Sequence, residues 1–543
     1  MHISGQGPSL TGKLEMSTAA AALLAALGFL SLWPARCHGG SILVVPVDGS
    51  HWLNMAVILR ALHSRGHRLT VLHSPNSWYI PSNASFYTSI TATMLEDGTK
   101  KDFYNKILTD VIECRQSAGL FRTFYQQRLL TNMLAKGHKR LAEAAGAMFD
   151  DPAFMEKLRE AKFDLVLTDP GLTVGVLLGN YLKLPMVFNV RWMNNGESQF
   201  AVAPSPLSYV PVSGSELHDR MDFQGRLKNM LHYMYSVIEF RFYINSAYSD
   251  LFQRHFPPKT DLLTLEQAAD IWLVRSDFVF ELPRPTMPNV VYVGGFQCEK
   301  ARPLPADLEA FVQSSGEHGV VVMSLGTLVS ALPGDVTEAI AAAFAQLPQK
   351  VVWRIKGETP SSLGNNTRLV DWLPQKDLLG HPKTRAFVAH GGTNGVYEAI
   401  YHGVPVLGLP LLFDQFDNLL RLQARGAARV VEAKSLTREG FLEALRDILE
   451  TPSYRDNMRR LSRLHRDRPT PPLENAIFWI EYVTRHRGAS HLRPMAYSLP
   501  WYSYFGADVV LLLILVAAAF VWTPIFICRS VCCRWFGRKM KRD

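Results

Sequence analysis

The residues best suited to chemistry are concentrated between Trp372 and Gln415, where an aromatic ring, histidines, glycines and a closing Asp-Gln pair occur together. Within this stretch a short apolar run, Ala386 to His390, precedes a glycine-rich turn, and Val396 to Ile400 has the pattern of a helix start. A strand, a glycine turn and a helix N-terminus present backbone N–H groups and a positive dipole end to a phosphate. The pattern predicts a site for a nucleotide diphosphate.

Polar side chains also follow the next apolar run, Val404 to Leu412, which ends just before Asp414 and Gln415. Open α/β sheets bind ligands at the carboxyl ends of their parallel strands. We therefore expect these two side chains to bind a group attached to the nucleotide.

A second pair of reactive side chains stands far upstream. His51 lies in the turn predicted after the first strand, and Asp169 directly follows the later strand Phe163 to Thr168. Both would face one cleft. A neutral imidazole takes a hydroxyl proton at neutral pH, and a carboxylate on its far nitrogen fixes the tautomer and stabilises the imidazolium. The pair predicts a general base, although a purely structural histidine also fits this turn.

A serine hydrolase built from Ser50, His51 and Asp169 is the rival chemistry. The sequence has no G-x-S-x-G motif, which supplies the strained turn that exposes a nucleophilic serine in such enzymes. We therefore favour a base that acts on a substrate hydroxyl.

The elements that position these residues alternate between strand and helix patterns. Ser41 to Val47 reads as a buried strand, Met55 to His63 as an amphipathic helix and Arg68 to Ser74 as a second strand, which is the opening of a doubly wound sheet. A second series begins at Gly319. Further strands are predicted at 163–168, 186–190, 320–324, 351–356 and 367–370. The fold class is therefore α/β, with two Rossmann-like doubly wound domains facing a cleft.

A proline-rich stretch, Pro283 to Pro305, indicates the connection between these domains. The predicted organisation is a signal peptide and leader (1–40), an N-terminal domain (41–285), a linker (286–318), a C-terminal domain with returning C-terminal helices (319–490), a transmembrane helix (507–527) and a cytosolic basic tail (528–543).

Three more helical stretches are predicted outside these strands. Residues 107–148 are helical in most windows, and Asp335 is expected to cap a helix that runs to Leu347. Leu227 to His255 is helical and rich in aromatic residues. That stretch fits core packing, and it also fits an apolar acceptor pocket or a membrane-facing surface.

Two apolar segments indicate a membrane protein of the secretory pathway. Ala19 to Leu32 has the length of a signal peptide. Residues 507–527 are long enough to cross a bilayer core of about 30 Å, and basic residues follow them. Much of the formal net charge of +9 lies in that tail, so charge indicates topology and argues against nucleic-acid binding.

Translocation would make the sequons at Asn83 and Asn365 candidate glycosylation sites. Of the 6 cysteines, Cys114 and Cys298 lie in the body of the chain, where pairing is left open. No ligand spacing for a metal is evident among the histidines, so no metal is expected.

The glycine-rich stretch FVAHGGTNGVYEAIYHGVPVLGLPLLFDQ resembles the signature of vertebrate UDP-glucuronosyltransferases, a branch of the UDP-glycosyltransferases. Further similar blocks extend over nearly the whole chain, among them FDLVLTDP (163–170), VYVGGFQC (291–298), FVQSSGEHGVVVMSLGTLVS (311–330) and FWIEYVTRHRGASHLRP (478–494). The resemblance implies the GT-B fold, with an N-terminal acceptor-binding domain and a C-terminal UDP-sugar-binding domain.

The resemblance also implies residue roles. His51 would be the catalytic base and Asp169 its carboxylate partner. The UDP-sugar would contact Ser324, Thr327, Arg354, Trp372, Gln375, His390, Gly392, Asn394, Gly395, Glu398, Asp414 and Gln415.

Within this set, Trp372 would stack on uracil beside Gln375, and Glu398 would bind the ribose. The turn after His390, with Ser324 and Thr327, would hold the diphosphate, and Asp414 and Gln415 would bind the sugar hydroxyls. Arg275 and Arg354 match family arginines near the donor, where each could pair with a sugar carboxylate or serve a structural ion pair.

The expected reaction transfers glucuronic acid from UDP-glucuronate to a hydroxyl of small lipophilic acceptors, with inversion and without a cofactor. Self-association or association with relatives is expected. The ending Lys539 to Asp543 resembles a dilysine retrieval signal, which implies a type I protein of the endoplasmic reticulum membrane with luminal catalytic domains. Two alternatives stay open: a UDP-glucose or UDP-N-acetylglucosamine donor, and a non-catalytic nucleotide-sugar-binding partner.

Overall fold

The computed structural model describes residues 39–92, 100–117, 121–191, 203–327, 329, 332–356 and 358–539. The predicted signal peptide (all but the end of its leader) and most of the dilysine-like ending lie outside these residues.

The first half of the chain forms a seven-stranded sheet. Its strands are β1 (Ser41–Val45), β2 (Arg68–His73), β3 (Thr88–Thr91), β4 (Leu165–Thr168), β5 (Met186–Val190), β6 (Ile271–Val274) and β7 (Val290–Tyr292). They run parallel in the order β3-β2-β1-β4-β5-β6-β7. The accompanying helices are α1 (Ser50–Ser64), α2 (Lys100–Ser117), α3 (Arg122–Phe149), α4 (Pro152–Glu160), α5 (Val174–Tyr181), α6 (Phe223–Ile238), α7 (Ser249–His255) and α8 (Leu262–Gln267).

The second half forms a six-stranded parallel sheet. Its strands are β8 (Val320–Ser324), β9 (Lys350–Arg354), β10 (Thr367–Val370), β11 (Thr384–Ala389), β12 (Val406–Gly408) and β13 (Ala428–Val430), in the order β10-β9-β8-β11-β12-β13. Its helices are α9 (Ala306–Gln313), α10 (Gly334–Phe344), α11 (Gln375–Leu379), α12 (Thr393–His402), α13 (Gln415–Ala424), α14 (Arg438–Glu450), α15 (Pro452–Arg466) and α16 (Pro472–His486). The prediction of two doubly wound α/β domains is confirmed.

The strand β1 shows why these sheets are covered on both faces. All five of its residues are buried, and successive side chains point to opposite faces of a strand. Leu43 and Val45 pack into one core cluster with Val174, whereas Ile42 and Val44 pack into another with Trp52. A run of apolar residues without polar alternation is what a central parallel strand requires.

The two halves exchange elements across their boundary. Ile107 and Val111 of α2 pack into a core cluster of the second domain with Phe344. In the opposite direction, Ile477 and Val483 of α16 pack against the first sheet. The segment 286–318, predicted as a linker, contains β7 of the first sheet and α9, whose apolar side belongs to the second domain.

Several element boundaries differ from the predictions. His51 lies in the first turn of α1, because that helix begins at Ser50 and not near Met55. The predicted helix 107–148 is two helices, α2 and α3. The stretch 227–255 is interrupted by a π-helical segment, Glu239–Ile244, and a 3-10 turn, Asn245–Tyr248.

The prediction that Asp335 caps α10 is wrong, because Pro333 occupies the N-cap and Asp335 lies inside the first turn. There its carboxylate still interacts favourably with the helix dipole. The apolar run from Val404 becomes a strand only at Val406–Gly408 and then turns.

Beyond the second domain, a short helix α17 (Trp501–Tyr504) leads into the 33-residue helix α18 (Ala507–Lys539). Its part Ala507–Cys532 is long and apolar enough to cross a membrane. The helix therefore includes the predicted span 507–527 and continues into the predicted basic tail.

The sequon and cysteine predictions fall on described residues. Asn83 and Asn365 are both exposed to solvent. Cys114 and Cys298 both have reduced thiols and do not pair with each other in this structure.

Candidate active site

His51 and Asp169 meet at the carboxyl edge of the first sheet. Asp169 follows β4, and its Oδ2 lies 2.6 Å from His51 Nδ1. Both side chains are almost fully buried, with 8% and 2% of their surfaces exposed. The Asp169 Oδ1 atom accepts a backbone N–H bond from Gly171 at 3.0 Å. The carboxylate is therefore fixed, and a neutral His51 donates its Nδ1–H to it.

A buried arginine completes this cluster. Arg275, directly after β6, donates from Nη2 to Asp169 at 3.1 Å and lies 3.3 Å from His51 Nδ1. Its Nε and Nη1 are buried without a hydrogen-bond partner among the described residues. Burial lowers the pKa of Arg275 to about 10, against the attraction of Asp169, so the guanidinium is charged at neutral pH.

Electrostatics keep the imidazole in its basic form. Burial lowers the pKa of His51 to about 4; Asp169 opposes this shift, and Arg275 and Arg191 reinforce it. Burial pushes the pKa of Asp169 upward, but the charge and hydrogen bond of His51, together with Arg275, hold it below its usual value. At neutral pH the site therefore contains a neutral imidazole beside a carboxylate, and such an imidazole can accept a proton from a hydroxyl.

The predicted phosphate turn lies at the end of β11. Gly392 occupies the N-cap of α12, and Gly391 has a φ of +87° that favours glycine. A Cβ on Gly392 would lie 2.4 Å from His390 Nε2, and one on Gly326 would lie 2.7 Å from the same atom. Close packing of two backbone turns around one imidazole therefore explains why glycine stands at both positions.

His390 itself is half-buried, and its imidazole is neutral. Burial lowers its pKa to about 4, with Arg191 adding to the shift. Its Nδ1 has no hydrogen-bond partner among the described residues. A neutral imidazole at the amino end of α12, beside Ser324 at the end of β8, can donate to a phosphate oxygen together with the backbone N–H groups.

The residues predicted to bind the nucleoside combine an exposed ring with a buried carboxyl group. Trp372 has 59% of its surface exposed, so a ring face is accessible for stacking, and the Arg354 guanidinium lies 5.6 Å from its centroid. Gln375 Nε2 donates to Glu398 Oε2 at 2.6 Å. Burial raises the pKa of Glu398 to about 7, although Gln375 and Lys376 oppose the shift.

The two residues predicted to bind the sugar differ in character. Asp414 Oδ2 accepts bonds from Thr393 Oγ1 at 3.1 Å and Asn418 Nδ2 at 2.8 Å. Gln415 Oε1 accepts the backbone N–H groups of Leu411 and Leu412, both at 2.9 Å. The Gln415 oxygen therefore holds the turn after β12, which leaves its amide N–H groups as the part suited to a ligand.

The base and the phosphate turn touch across the domain boundary. Asn394, in the first turn of α12, accepts from Asn54 Nδ2 at 2.5 Å and donates to the backbone oxygen of Ser50 at 3.3 Å. Arg191 Nη1 donates to Ser50 Oγ at 2.7 Å. The first turn of α1, which carries His51, is thus fixed directly against the donor turn.

Sequence reasoning missed these supporting residues. Asn54 stands one helical turn after His51, and Asn418 stands four residues after Asp414, so helical spacing was an available signal for both. Arg191 and Thr393 carry no such signal, because their contacts depend on tertiary packing. Remaining predicted residues lie beside the turn: Thr327 after β8 and Gly395 in the first turn of α12.

Among the described residues, no group of three or more His, Cys, Asp or Glu side chains is arranged to hold a metal ion. Metal-independent transfer stays a prediction.

The family model "UDP-glucoronosyl and UDP-glucosyl transferase" matches residues 40–542. UDP-glucuronosyltransferase 2A2 of Mus musculus is 41% identical over 519 residues, which cover 93% of this chain and 96% of the relative. UDP-glucuronosyltransferase 2B15 of Homo sapiens is 41% identical over 526 residues, which cover 93% of this chain and 96% of the relative.

Solved structures share the architecture at low identity. Os79 from O. sativa, solved with a trichothecene, superposes with a TM-score of 0.56 at 16% identity, covering 82% of this chain and 100% of that one. Phytolacca americana UGT2, complexed with UDP-2fluoro-glucose and pterostilbene, superposes with a TM-score of 0.54 at 16% identity. The superposition covers 82% of this chain and 99% of that one. The chain therefore belongs to the UDP-glucuronosyl and UDP-glucosyl transferase family and is a glycosyltransferase of the GT-B fold.

Proposed function

We propose that the enzyme transfers glucuronic acid from UDP-glucuronate to a hydroxyl group of small lipophilic acceptors. The observation that carries the choice of sugar is Arg275. Its Nη2 binds Asp169, while Nε and Nη1 are buried without a partner among the described residues. Unpaired buried donors are costly, and a carboxylate on the sugar is the group that would pair with them.

The position of Arg275 fits this role. The carboxylates of Asp169, beside the base, and of Asp414, proposed to bind the sugar, both raise the pKa of the Arg275 guanidinium through their charge. A sugar whose hydroxyls bind Asp414 would therefore lie between the two aspartates, next to the guanidinium. Glucose has no carboxylate and would leave the two N–H groups unpaired, which disfavours UDP-glucose as donor. The relatives at about 40% identity carry the name UDP-glucuronosyltransferase.

The proposed reaction follows from the dyad. With Nδ1–H bonded to Asp169, the Nε2 lone pair of His51 accepts the acceptor's hydroxyl proton. The oxygen forms a bond to the anomeric carbon as the bond from that carbon to the diphosphate oxygen breaks, and UDP leaves with the electron pair. Attack from the face opposite UDP inverts the anomeric centre. His390 and the amino end of α12 stabilise the charge that develops on the diphosphate.

We further propose that α18 anchors the enzyme in the endoplasmic reticulum membrane with both domains in the lumen. This rests on the apolar span Ala507–Cys532, the predicted signal peptide and the dilysine-like ending. Lipophilic alcohols, phenols or steroids suit the aromatic-rich acceptor region, and such molecules concentrate at membranes.

Donor choice is tested with microsomes that express the full chain, labelled UDP-sugars and a panel of lipophilic acceptors. We expect transfer from UDP-glucuronate, and transfer from UDP-glucose alone would contradict the proposal. Arg275→Gln should reduce glucuronate transfer far more than any residual glucose transfer, with UDP affinity unchanged. Equal loss with both donors would instead mean that Arg275 only positions Asp169.

A further inference from the structure

A large cavity lies behind α1, at the boundary between the two domains. Its volume is about 800 Å³, within the range of small-molecule sites. Residues from both halves form its walls: Arg60 comes from α1, whereas Lys376 comes from α11 and Arg466 from α15. No residue that lines it belongs to the predicted UDP-sugar set.

The charge of the walls is strongly positive. Five cationic side chains line the cavity against one carboxylate, Glu299. Glu299 is shared by two of the cations, Lys376 at 3.3 Å and Arg302 at 3.2 Å. Arg468, a third cation, is paired with Asp277.

The remaining two cations are Arg60 and Arg466. Arg60 lies 4.9 Å from the ring centroid of Phe86, and Arg466 lies 5.6 Å from that of Tyr401. Among the described residues, no carboxylate makes an ion pair with either one. Both are exposed to solvent at the cavity, so their guanidinium groups are accessible to an anion from outside.

The other titratable groups of the wall do not cancel this charge. Burial lowers the pKa of His465 to about 4, so the imidazole is neutral. Burial also raises the pKa of the Cys298 thiol well above its usual value, so it carries no negative charge at neutral pH. Phe296, Tyr401 and Leu473 supply an apolar part of the lining.

We propose that this cavity is a second ligand site, which binds an organic anion that joins a phosphate, sulfate or carboxylate group to an apolar body. The anionic group contacts Arg60 and Arg466, because guanidinium groups bind such oxyanions in a forked geometry. The apolar body lies against Phe296 and Leu473. Since Arg60 and Arg466 belong to different halves of the chain, a bound anion bridges the two domains.

The test uses 1-naphthyl phosphate as the probe and the detergent-solubilised full chain, saturated with UDP so that the donor site is filled. We expect saturable binding by calorimetry. The double variant Arg60→Gln with Arg466→Gln should weaken it at least tenfold. The matched control, Arg460→Gln with Arg463→Gln, removes the same charge from exposed positions of α15 outside the cavity and should leave it unchanged.

Two further measurements keep the result interpretable. The melting temperature and UDP affinity of the double variant should equal those of the parent chain, because both arginines are exposed. Arg60→Lys with Arg466→Lys keeps the charge but loses the forked donors, so its affinity should lie between those of the Gln variant and the parent chain. The absence of saturable binding to the UDP-saturated chain, equal binding in the Gln and parent chains, or an equal loss in the Arg460 and Arg463 control would each overturn the proposal.

Discussion

Replacing the carboxylate of the dyad is the most direct perturbation of the proposed mechanism. In the transition state His51 gains a proton, and Asp169 lies 2.6 Å from its Nδ1. At an effective dielectric constant near 20, unit charges about 4 Å apart attract by about 4 kcal/mol. Asp169→Asn removes that attraction and leaves the repulsion of Arg275 uncompensated. Because about 1.36 kcal/mol of activation free energy corresponds to a tenfold change in rate, we expect kcat to fall about a thousandfold.

The loss should not depend on pH. Burial already lowers the pKa of His51 to about 4, and removing the neighbouring carboxylate lowers it further, so the base stays neutral at and above pH 6. The parent enzyme should correspondingly lose kcat/KM only as the pH falls toward 4, because protonation removes the base. Glucuronide formation by Asp169→Asn within tenfold of the parent enzyme, or recovery of its activity at higher pH, would refute this reasoning.

The chain contains a matched control for this experiment. Asp277 is also a buried aspartate, its Oδ2 lies 2.6 Å from His465 Nδ1, and it pairs with Arg468. None of these residues is near the reacting atoms in the proposed mechanism. Asp277→Asn should lower the melting temperature, as loss of a buried ion-pair partner does, while kcat of the folded enzyme stays close to that of the parent.

Three further predictions concern the donor site. Trp372→Ala should weaken UDP binding about tenfold to a hundredfold, since stacking on a base contributes about 1–3 kcal/mol. Its melting temperature should not change, because Trp372 has 59% of its surface exposed. Burial raises the pKa of Glu398 to about 7, and the ribose hydroxyls favour its ionised form, so UDP binding at pH 7 should release part of a proton. Calorimetry in buffers of different ionisation enthalpy measures this release. Glu398→Gln should abolish the proton release, and an unchanged release would contradict the assignment of Glu398 to the ribose. Gly392→Ala should weaken UDP binding at least tenfold by displacing His390, 2.4 Å from the new Cβ, whereas Gly137→Ala, whose Cβ meets nothing within 4 Å, should not.

Local patterns in the sequence predicted the central strands and the place of the base, whereas β3, β6, β7 and β13 were not predicted. β1 and β8 are β-branched apolar runs followed by glycine turns, and a buried parallel strand requires such a run. His51 and Asp169 converge because each follows a strand of one sheet, and β1 and β4 are direct neighbours. Neighbouring parallel strands end at the same edge, so proximity follows from topology without any knowledge of side-chain packing.

Contacts between distant segments could not be predicted in this way. The amphipathic pattern of α2 shows that one face is buried, but it does not show that Ile107 packs in the second domain. The contact between Arg275 and Asp169 joins residues far apart in the chain, and a lone arginine after a strand has no periodic signal. The interruption of the 227–255 helix at Glu239 was also missed, because that stretch has no glycine or proline to mark it.

The contacts across the domain boundary constrain how substrates exchange. On one side of the reacting centre, Asn394 bonds to the first turn of α1. On the other, Asp417 of α13 accepts the backbone N–H groups of Gly214 and Glu216 at 2.7 and 3.1 Å. The same helix begins at Gln415, so an acceptor-domain loop is fixed to the element proposed to bind the sugar. We therefore expect donor entry to break contacts that involve the acceptor domain, and their re-formation to bring the proposed base to the anomeric carbon, which would couple catalysis to closure of the cleft.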